Sequence, residues 1–414
     1  MAIPFFSIDL SNKEFFKIIK DFFLPINLDK SQKEINLLLN ERFKNRYINV
    51  LPSARLGFYL TLKKNLKEGD EIIFSSMSFP LYLKIASELK LKIKLVDVDS
   101  DTMNINHELL EKKISQNTKC IVVTHLFGYP CKIDEIKKIT KKNNIFLIED
   151  CAQSFDTFYK NTETGMFGDV GIFSCSLIKI PTTLSGGILI SSNKELNEYI
   201  NNWTEKNIKF SFKKKIFLFI KNIVSVINSY PSLYSILTSK IFFFLDKLNP
   251  RIYRKIIYSG MGISTKKFDA MERSTLSKYQ IEFGLGQLKK LNQMKIKRKA
   301  NIEYLIENIK NLENIELLNY ENDIDWNYQY FVIKIKKNFG EFNKILFNQG
   351  IHAMEENVWN CLDYNYEIQN YNDNFEVTSK NNPKLLRIQN SSYLNKNHLD
   401  KIIMGIKKAH AQSK

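Results

Sequence analysis

From about residue 50 to residue 200 the chain alternates short apolar runs with stretches of helical periodicity. The runs are EIIF at 71–74, IKLVDV at 93–98, CIVVTHL at 120–126, IFLIED at 145–150, VGIFSCS at 170–176 and GILIS at 187–191. Each is short, rich in β-branched residues and bounded by turn residues or charges, which predicts a strand. Helical stretches intervene near 80–90, 107–115 and 133–143. Strand–helix alternation of this kind predicts an α/β fold built on a mostly parallel, doubly wound sheet, in which ligands gather at the carboxyl ends of the strands.

The pattern then changes. Residues 206–260 are basic and apolar, with two runs, Ile216–Ile227 and Ile241–Leu248, too short to cross a bilayer. Gln280–Leu305 reads as one long helix. YQYFVIKIKK at 328–337, EFNKILFNQG at 341–350 and the segment 385–409 predict a smaller α+β domain. We therefore expect a large domain over 1–265, interrupted at about 206–260, followed by a linking helix and a small C-terminal domain over 266–414.

Composition narrows the class. The 414 residues are 44% hydrophobic and 25% charged, as in ordinary globular proteins. The five cysteines, at 120, 131, 151, 175 and 361, have no paired spacing. Neither a disulfide framework nor a metal site is expected, and a reducing cytoplasm suits such a chain. The N-terminus lacks the pattern of a secretory signal. The net charge is +17, and Lys206–Lys255 holds eleven lysines or arginines against the single acid Asp246. The insertion is thus open to three readings: a packed helical excursion at a dimer contact, attachment to an anionic membrane surface, or nucleic acid. No nucleic-acid module accompanies the charge, so nucleic acid is not expected. The expected location is cytoplasmic, with a peripheral position at the inner membrane face left open.

Two windows carry candidate chemistry. Asp150 stands at the tip of an apolar strand, in Glu149-Asp150-Cys151-Ala152-Gln153-Ser154. Such a carboxylate either caps a turn or pairs with a protonated ring nitrogen, whose pKa it would raise. Lys179 follows another buried strand and precedes Pro181 and the pair Gly186-Gly187. In an apolar turn its amine either reaches the sheet rim or, with a lowered pKa, serves as a nucleophile.

Taken in order, Pro52-Ser53-Ala54-Arg55, GDEIIFSSMSFP, LVDVDSDTMNIN, VTHLFGYP, IFLIEDCAQSF, FYKNTETGMFGDVGIFSCS and the lysine with its downstream Gly-Gly resemble the DegT/DnrJ/EryC1/StrS aminotransferases. The resemblance is clearest over about Val50–Asn202. It implies a fold-type I transferase using pyridoxal 5′-phosphate (PLP). Lys179 would form the Schiff base and Asp150 would hold the pyridine nitrogen. Gln153 would bond the phenolic oxygen, and Phe79 would stack on the ring. Ser174 and the amides of Ala54 and Arg55 would hold the phosphate. His125 stays open between a structural hydrogen bond and a substrate contact. The resemblance further implies a homodimer that moves an amino group from an amino acid such as glutamate to a keto sugar. That sugar would be nucleotide-linked, in surface polysaccharide or glycoside synthesis. Alternatives are a membrane-associated PLP enzyme acting on a lipid or lipid-linked acceptor, and a catalytically degenerate scaffold of the same fold. A dehydratase variant of the family carries histidine in place of the lysine, against which Lys179 speaks.

The chain departs from the family at two points. Ser53-Ala54 replaces a Gly-Thr or Gly-Ser pair, which removes a side-chain donor from the phosphate loop. Arg273, in Met271-Glu272-Arg273-Ser274-Thr275-Leu276-Ser277, falls where relatives carry an asparagine that reaches the partner's cofactor.

Overall fold

The computed structural model describes residues 2–23, 28–208, 212–249, 275–319, 324–364, 366–381 and 384–413. The domain boundary expected near 265, Arg273, and the parts 209–211 and 250–260 of the insertion lie outside the described residues.

Two helices, α1 (Asn12–Phe23) and α2 (Leu28–Arg42), precede the first strand, β1 (Tyr47–Leu51). Then come α3 (Ala54–Asn65), β2 (Glu71–Ser75), α4 (Pro80–Glu88), β3 (Lys92–Val96), α5 (His107–Lys113) and β4 (Thr118–Thr124). These are followed by α6 (Ile133–Lys142), β5 (Phe146–Asp150), a small hairpin of β6 (Phe158–Tyr159) and β7 (Thr162–Glu163), β8 (Val170–Ser174), β9 (Gly187–Ser191) and α7 (Lys194–Asn207). The seven long strands form one sheet in the order β1-β9-β8-β5-β4-β2-β3. β2, β3, β4, β5 and β8 are parallel; β9 is antiparallel to both β8 and β1. Parallel neighbours need a long crossover, usually a helix, and between β5 and β8 the stretch 151–169 with the β6–β7 hairpin supplies it. β8 and β9 have only the loop 175–186, so the chain turns straight back.

Every residue of β2 is buried, which explains why the run reads as continuously apolar rather than alternating. Ile72, Phe74, Ile93, Leu95, Cys120 and Val122 face one side, against Phe58, Leu83 and Leu196 of α3, α4 and α7. Ile73, Val96, Ile121 and Val123 face the other, against Leu110, Ile133 and Ile136 of α5 and α6. Helices thus cover both faces, as the strand–helix alternation predicts. α6 shows the pattern at element level: Ile133, Ile136 and Ile139 are buried, and basic Lys141 and Lys142 sit in its last turn, where the helix dipole favours cations.

The insertion forms α8 (Phe212–Ser229), a bent turn through Pro231–Thr238, and α9 (Ser239–Leu248). Both are longer than the apolar runs that announce them. The linking helix is α10 (Lys278–Ile309), 32 residues long and started by Gln280, whose Oε1 accepts from the Ser277 amide at 2.8 Å. Beyond it are β10 (Ile315–Leu317), β11 (Tyr330–Ile335), α11 (Phe339–Asn348), β12 (Met354–Glu355), α12 (Glu376–Asn381), β13 (Leu385–Gln389) and α13 (Lys396–Gln412). The second sheet is antiparallel, in the order β10-β11-β13-β12. Its Ile333, Leu386 and Ile388 share a core with Ile302 and Leu305 of α10 and with Ile402 and Ile406 of α13. The N-terminal segment crosses to this sheet, where Ile3 bridges Ile351.

Candidate active site

The carboxyl ends of β4, β5 and β8 meet at one place, and the candidate residues are distributed around it. β5 ends on Asp150, which is 2% exposed. Its carboxylate accepts from the Ala152 amide at 3.1 Å and from Thr124 Oγ1 at 3.3 Å. Burial pushes this carboxyl above the usual carboxylate range, while the Ala152 amide and the Lys179 charge pull it back.

Lys179 lies in the loop between β8 and β9, 8% exposed. The loop is pinned at several points. The Lys179 amide donates to Ser176 O at 3.0 Å and the Thr183 amide to Cys175 O at 3.0 Å. From the residue before β11, Gln329 Nε2 donates to Ile178 O at 2.5 Å. The ammonium stands 5.7 Å from the Trp359 ring centroid. Burial, and after it the Arg387 charge, lowers the Lys179 pKa to about 7, against the opposing pull of Asp150 and Glu356. At neutral pH a large share of this amine is therefore uncharged and nucleophilic.

Phe79 caps α4 and its ring lies 5.9 Å from Trp359 and 5.4 Å from Tyr82. Phe79 and Trp359 thus make an aromatic wall beside the amine. Gln153 is buried, and its Oε1 accepts from the Phe127 amide at 2.9 Å, which leaves the NH2 end as its donor.

The phosphate candidates assemble around a glycine. Ser174 pairs with Gly187 across β8 and β9. A Cβ built on Gly187 would stand 2.3 Å from the Ala54 nitrogen, so only glycine lets β9 approach the start of α3 this closely. The Ser53 hydroxyl accepts from the Leu56 amide at 3.2 Å and caps the helix. Ala54 and Arg55 open the first turn of α3, at its positive dipole end, which suits an anion. Tyr82 joins the two halves. Burial, then Asp150, pushes its phenol far up, and Arg55 draws it back, so both groups lie within electrostatic reach of it.

His125 falls to the structural side of the two readings. Its Nε2 is 3.0 Å from Glu149 Oε2 and its Nδ1 accepts from the Cys131 amide at 3.0 Å, so both ring nitrogens are occupied. His125, Glu149 and Cys151 place ligand-type atoms within 4.8 Å of one another. The Glu149 oxygens, however, already accept from the amides of Gly165, Phe167 and Gly168. Saturated in this way, the cluster braces the loop over β5 rather than offering free ligands.

Sequence reasoning passed over three side chains of the site: Trp359, Glu356 and Arg387. Arg387 Nε donates to Glu356 Oε1 at 2.6 Å, with both residues fully buried, and its guanidinium lies 4.3 Å over the Tyr330 ring. The signal was available, because an arginine inside the apolar run LLRIQ must have a partner. Nothing in the chain pointed to Trp359, which only the packing around the second sheet carries beside Lys179.

Residues 38–217 match the model of the DegT/DnrJ/EryC1/StrS aminotransferase family. GDP-perosamine synthase of Escherichia coli O157:H7 is 32% identical over 152 residues, 36% of this chain and 42% of that protein. GDP-4-keto-6-deoxy-D-mannose 3-dehydratase of Escherichia coli O55:H7 is 27% identical over 360 residues, 85% of this chain and 79% of that protein. The matched stretch spans under half the length of two curated relatives above 30% identity. Among solved structures, a Helicobacter pylori aminotransferase involved in the biosynthesis of pseudoaminic acid superposes with a TM-score of 0.76 at 18% identity, covering all of both chains. A likeness at that identity speaks for the fold, and the matched segment speaks for descent. The segment that holds Ser53, Asp150, Ser174 and Lys179 is similar to the DegT/DnrJ/EryC1/StrS aminotransferase family.

Proposed function

We propose that this chain is a PLP-dependent aminotransferase that moves an amino group from an amino acid, glutamate first among candidates, to the keto group of a nucleotide-linked sugar. One observation carries the reading: a buried amine with its pKa drawn to about 7 lies within electrostatic reach of a buried carboxylate, at the carboxyl ends of parallel strands. The donor set suits the cofactor. Asp150 would pair with the ring nitrogen, Gln153 would donate to the ring oxygen, and Phe79 would cover a ring face. Ser174 and the start of α3 would take the phosphate.

When bound, the cofactor supplies an electron sink for the carbon that loses its proton and carries the amino group between half-reactions. The protein's own part is positioning and proton transfer. Asp150, held by Thr124 and the Ala152 amide, would keep a proton on the cofactor's ring nitrogen. Lys179 Nζ, with a pKa drawn to about 7 and so partly uncharged at neutral pH, would accept and return the proton of the substrate carbon. Arg387 keeps that amine from holding its proton too tightly. Phe79 and Trp359 keep water from the wall beside it.

Relatives include both a synthase of an amino sugar nucleotide and a dehydratase of a keto sugar nucleotide, which supports a nucleotide-linked keto sugar as the acceptor. Lys179, rather than histidine, favours amination over dehydration. A homodimer belongs to the same reading, and the mass of the protein in solution tests it.

The decisive experiment pairs two variants. Lys179→Ala should abolish turnover and the adduct that borohydride reduction fixes on the wild-type lysine, with the far-ultraviolet dichroism unchanged. Asp150→Asn should still take up the cofactor but lose kcat by about 100-fold or more. A wild-type protein that stays colourless with PLP, or an Asp150→Asn variant with normal kinetics, overturns the assignment.

A further inference from the structure

α8 and α9 are apolar on two sides, and only one side is used by the fold. Inward, Phe219, Ile223 and Val226 pack with Ile18 of α1 and with Tyr279 and Phe283 of α10. The Phe22 ring stacks on Phe219 with centroids 3.7 Å apart. In α9, Phe242 packs against Phe5 and Tyr234. Outward, Phe217, Ile220 and Val224 form one stripe on α8, and Ile241, Phe244 and Leu248 form one on α9. Both stripes follow the three-and-four spacing of a single helix face. Phe217 is 67% exposed and Phe244 61%. Of the nineteen large hydrophobic side chains exposed among the described residues, eleven lie within 212–248, and Phe16 and Phe23 of the adjoining α1 are two more. Apolar surface concentrated to this degree marks a contact with something else.

Charge says what that something is. Lys206–Lys255 carries eleven basic side chains and one acid, and Lys213, Lys221, Lys240 and Lys247 are exposed among the stripe residues. We propose that α8 and α9, with the Phe23 edge of α1, dock on an anionic lipid bilayer. Phenylalanine and aliphatic side chains enter the headgroup boundary, and lysines meet the phosphates. The helices lie in the surface rather than crossing it. No single helix among the described residues is long and apolar enough to span, and Lys215–Ser229 and Tyr234–Leu245 meet at a bend of 84°. A second copy of the chain suits this face poorly, because a two-fold contact sets like patches against each other and would juxtapose a strong positive charge with itself.

The proposal does not depend on the amination reading, and its test does not use the cofactor. The full chain is floated with vesicles of phosphatidylcholine containing roughly one third phosphatidylglycerol, and with pure phosphatidylcholine. Wild type should float with the anionic vesicles, far less with the neutral ones, and less again in high salt. The triple variant Phe217→Asp, Ile220→Asp, Phe244→Asp should lower partitioning about tenfold or more, with unchanged thermal melting and unchanged mass by light scattering. Three results overturn the proposal. Wild type stays at the bottom of the gradient, the triple variant floats as well as wild type, or the triple variant halves the mass because the face holds a second copy. Binding that duplex DNA competes away but anionic vesicles do not reproduce overturns it too.

Discussion

At the residue scale the chemistry turns on how the protein treats two ionisable groups. Lys179 would hold its proton to well above neutral pH in water; burial and Arg387 remove it near pH 7. The amine is reactive when neutral, so the rate at which cofactor-free enzyme takes up PLP should rise with pH and reach half its plateau near 7. Arg387→Met removes the charge that repels the ammonium, which favours the protonated amine. The midpoint should then move upward, read by stopped-flow absorbance across pH. A merely structural arginine would change the amplitude and leave the midpoint in place. Asp150 and Lys179 could be singled out in the chain because buried parallel strands are written as unbroken apolar runs, and a charge at the end of one stands out. Trp359 and Glu356 could not, because they come from the short turns around β12 and reach Lys179 only through the packing of the second sheet.

At the element scale, six of the seven described strands of the large sheet lie within two residues of the apolar runs that announce them. β1, α1, α2 and α7 went unread. β1 is the plainest case: burial alternates weakly along Tyr47–Leu51, so its apolar signal is faint, and only its neighbour β9 makes it a strand. The insertion shows how an element can be legible in composition and opaque in placement. Its bend rests on Tyr234, whose hydroxyl bonds His352 Nδ1 just before β12. Burial, and after it Lys401, pulls the His352 pKa to about 4 from its ordinary 6.5. The unfolded chain therefore takes up a proton below about pH 6.5, while the folded protein refuses it until about pH 4. Between these values the unfolded state binds more protons, and stability falls as pH falls. His352→Phe should flatten the decline of Tm from pH 6.5 to 4 measured by calorimetry. An unchanged slope would mean that the imidazole is not held neutral in the fold.

At the scale of the whole molecule, the two sheets are tied by α10 and by the N-terminal segment. Arg298 of α10 is fully buried and donates to Asp9 Oδ2 at 3.1 Å and to Asn327 O at 2.9 Å. Asp9 also accepts from the Ser392 amide at 3.0 Å, and Asn390 Nδ2 donates to Arg298 O at 2.8 Å. One ion pair thus joins the start of the chain, the linking helix and the end of β13. Removing one member strands the other charge in the interior, which costs about 3–5 kcal/mol. Arg298→Met should lose that much in urea unfolding, and Asp9→Asn added to it should recover a part. Equal stability in the single variant would show that the pair is solvated in solution.

The edge position of β1 has a consequence for synthesis. It is the first strand of the large sheet to leave the ribosome, yet its sheet neighbour, β9, is the last. At translation rates of roughly 5–20 residues per second, that neighbour emerges some tens of seconds or less behind it. Through that interval the nascent chain carries an unmatched strand, and the sheet closes only when the ribosome has already passed the codon for Lys179.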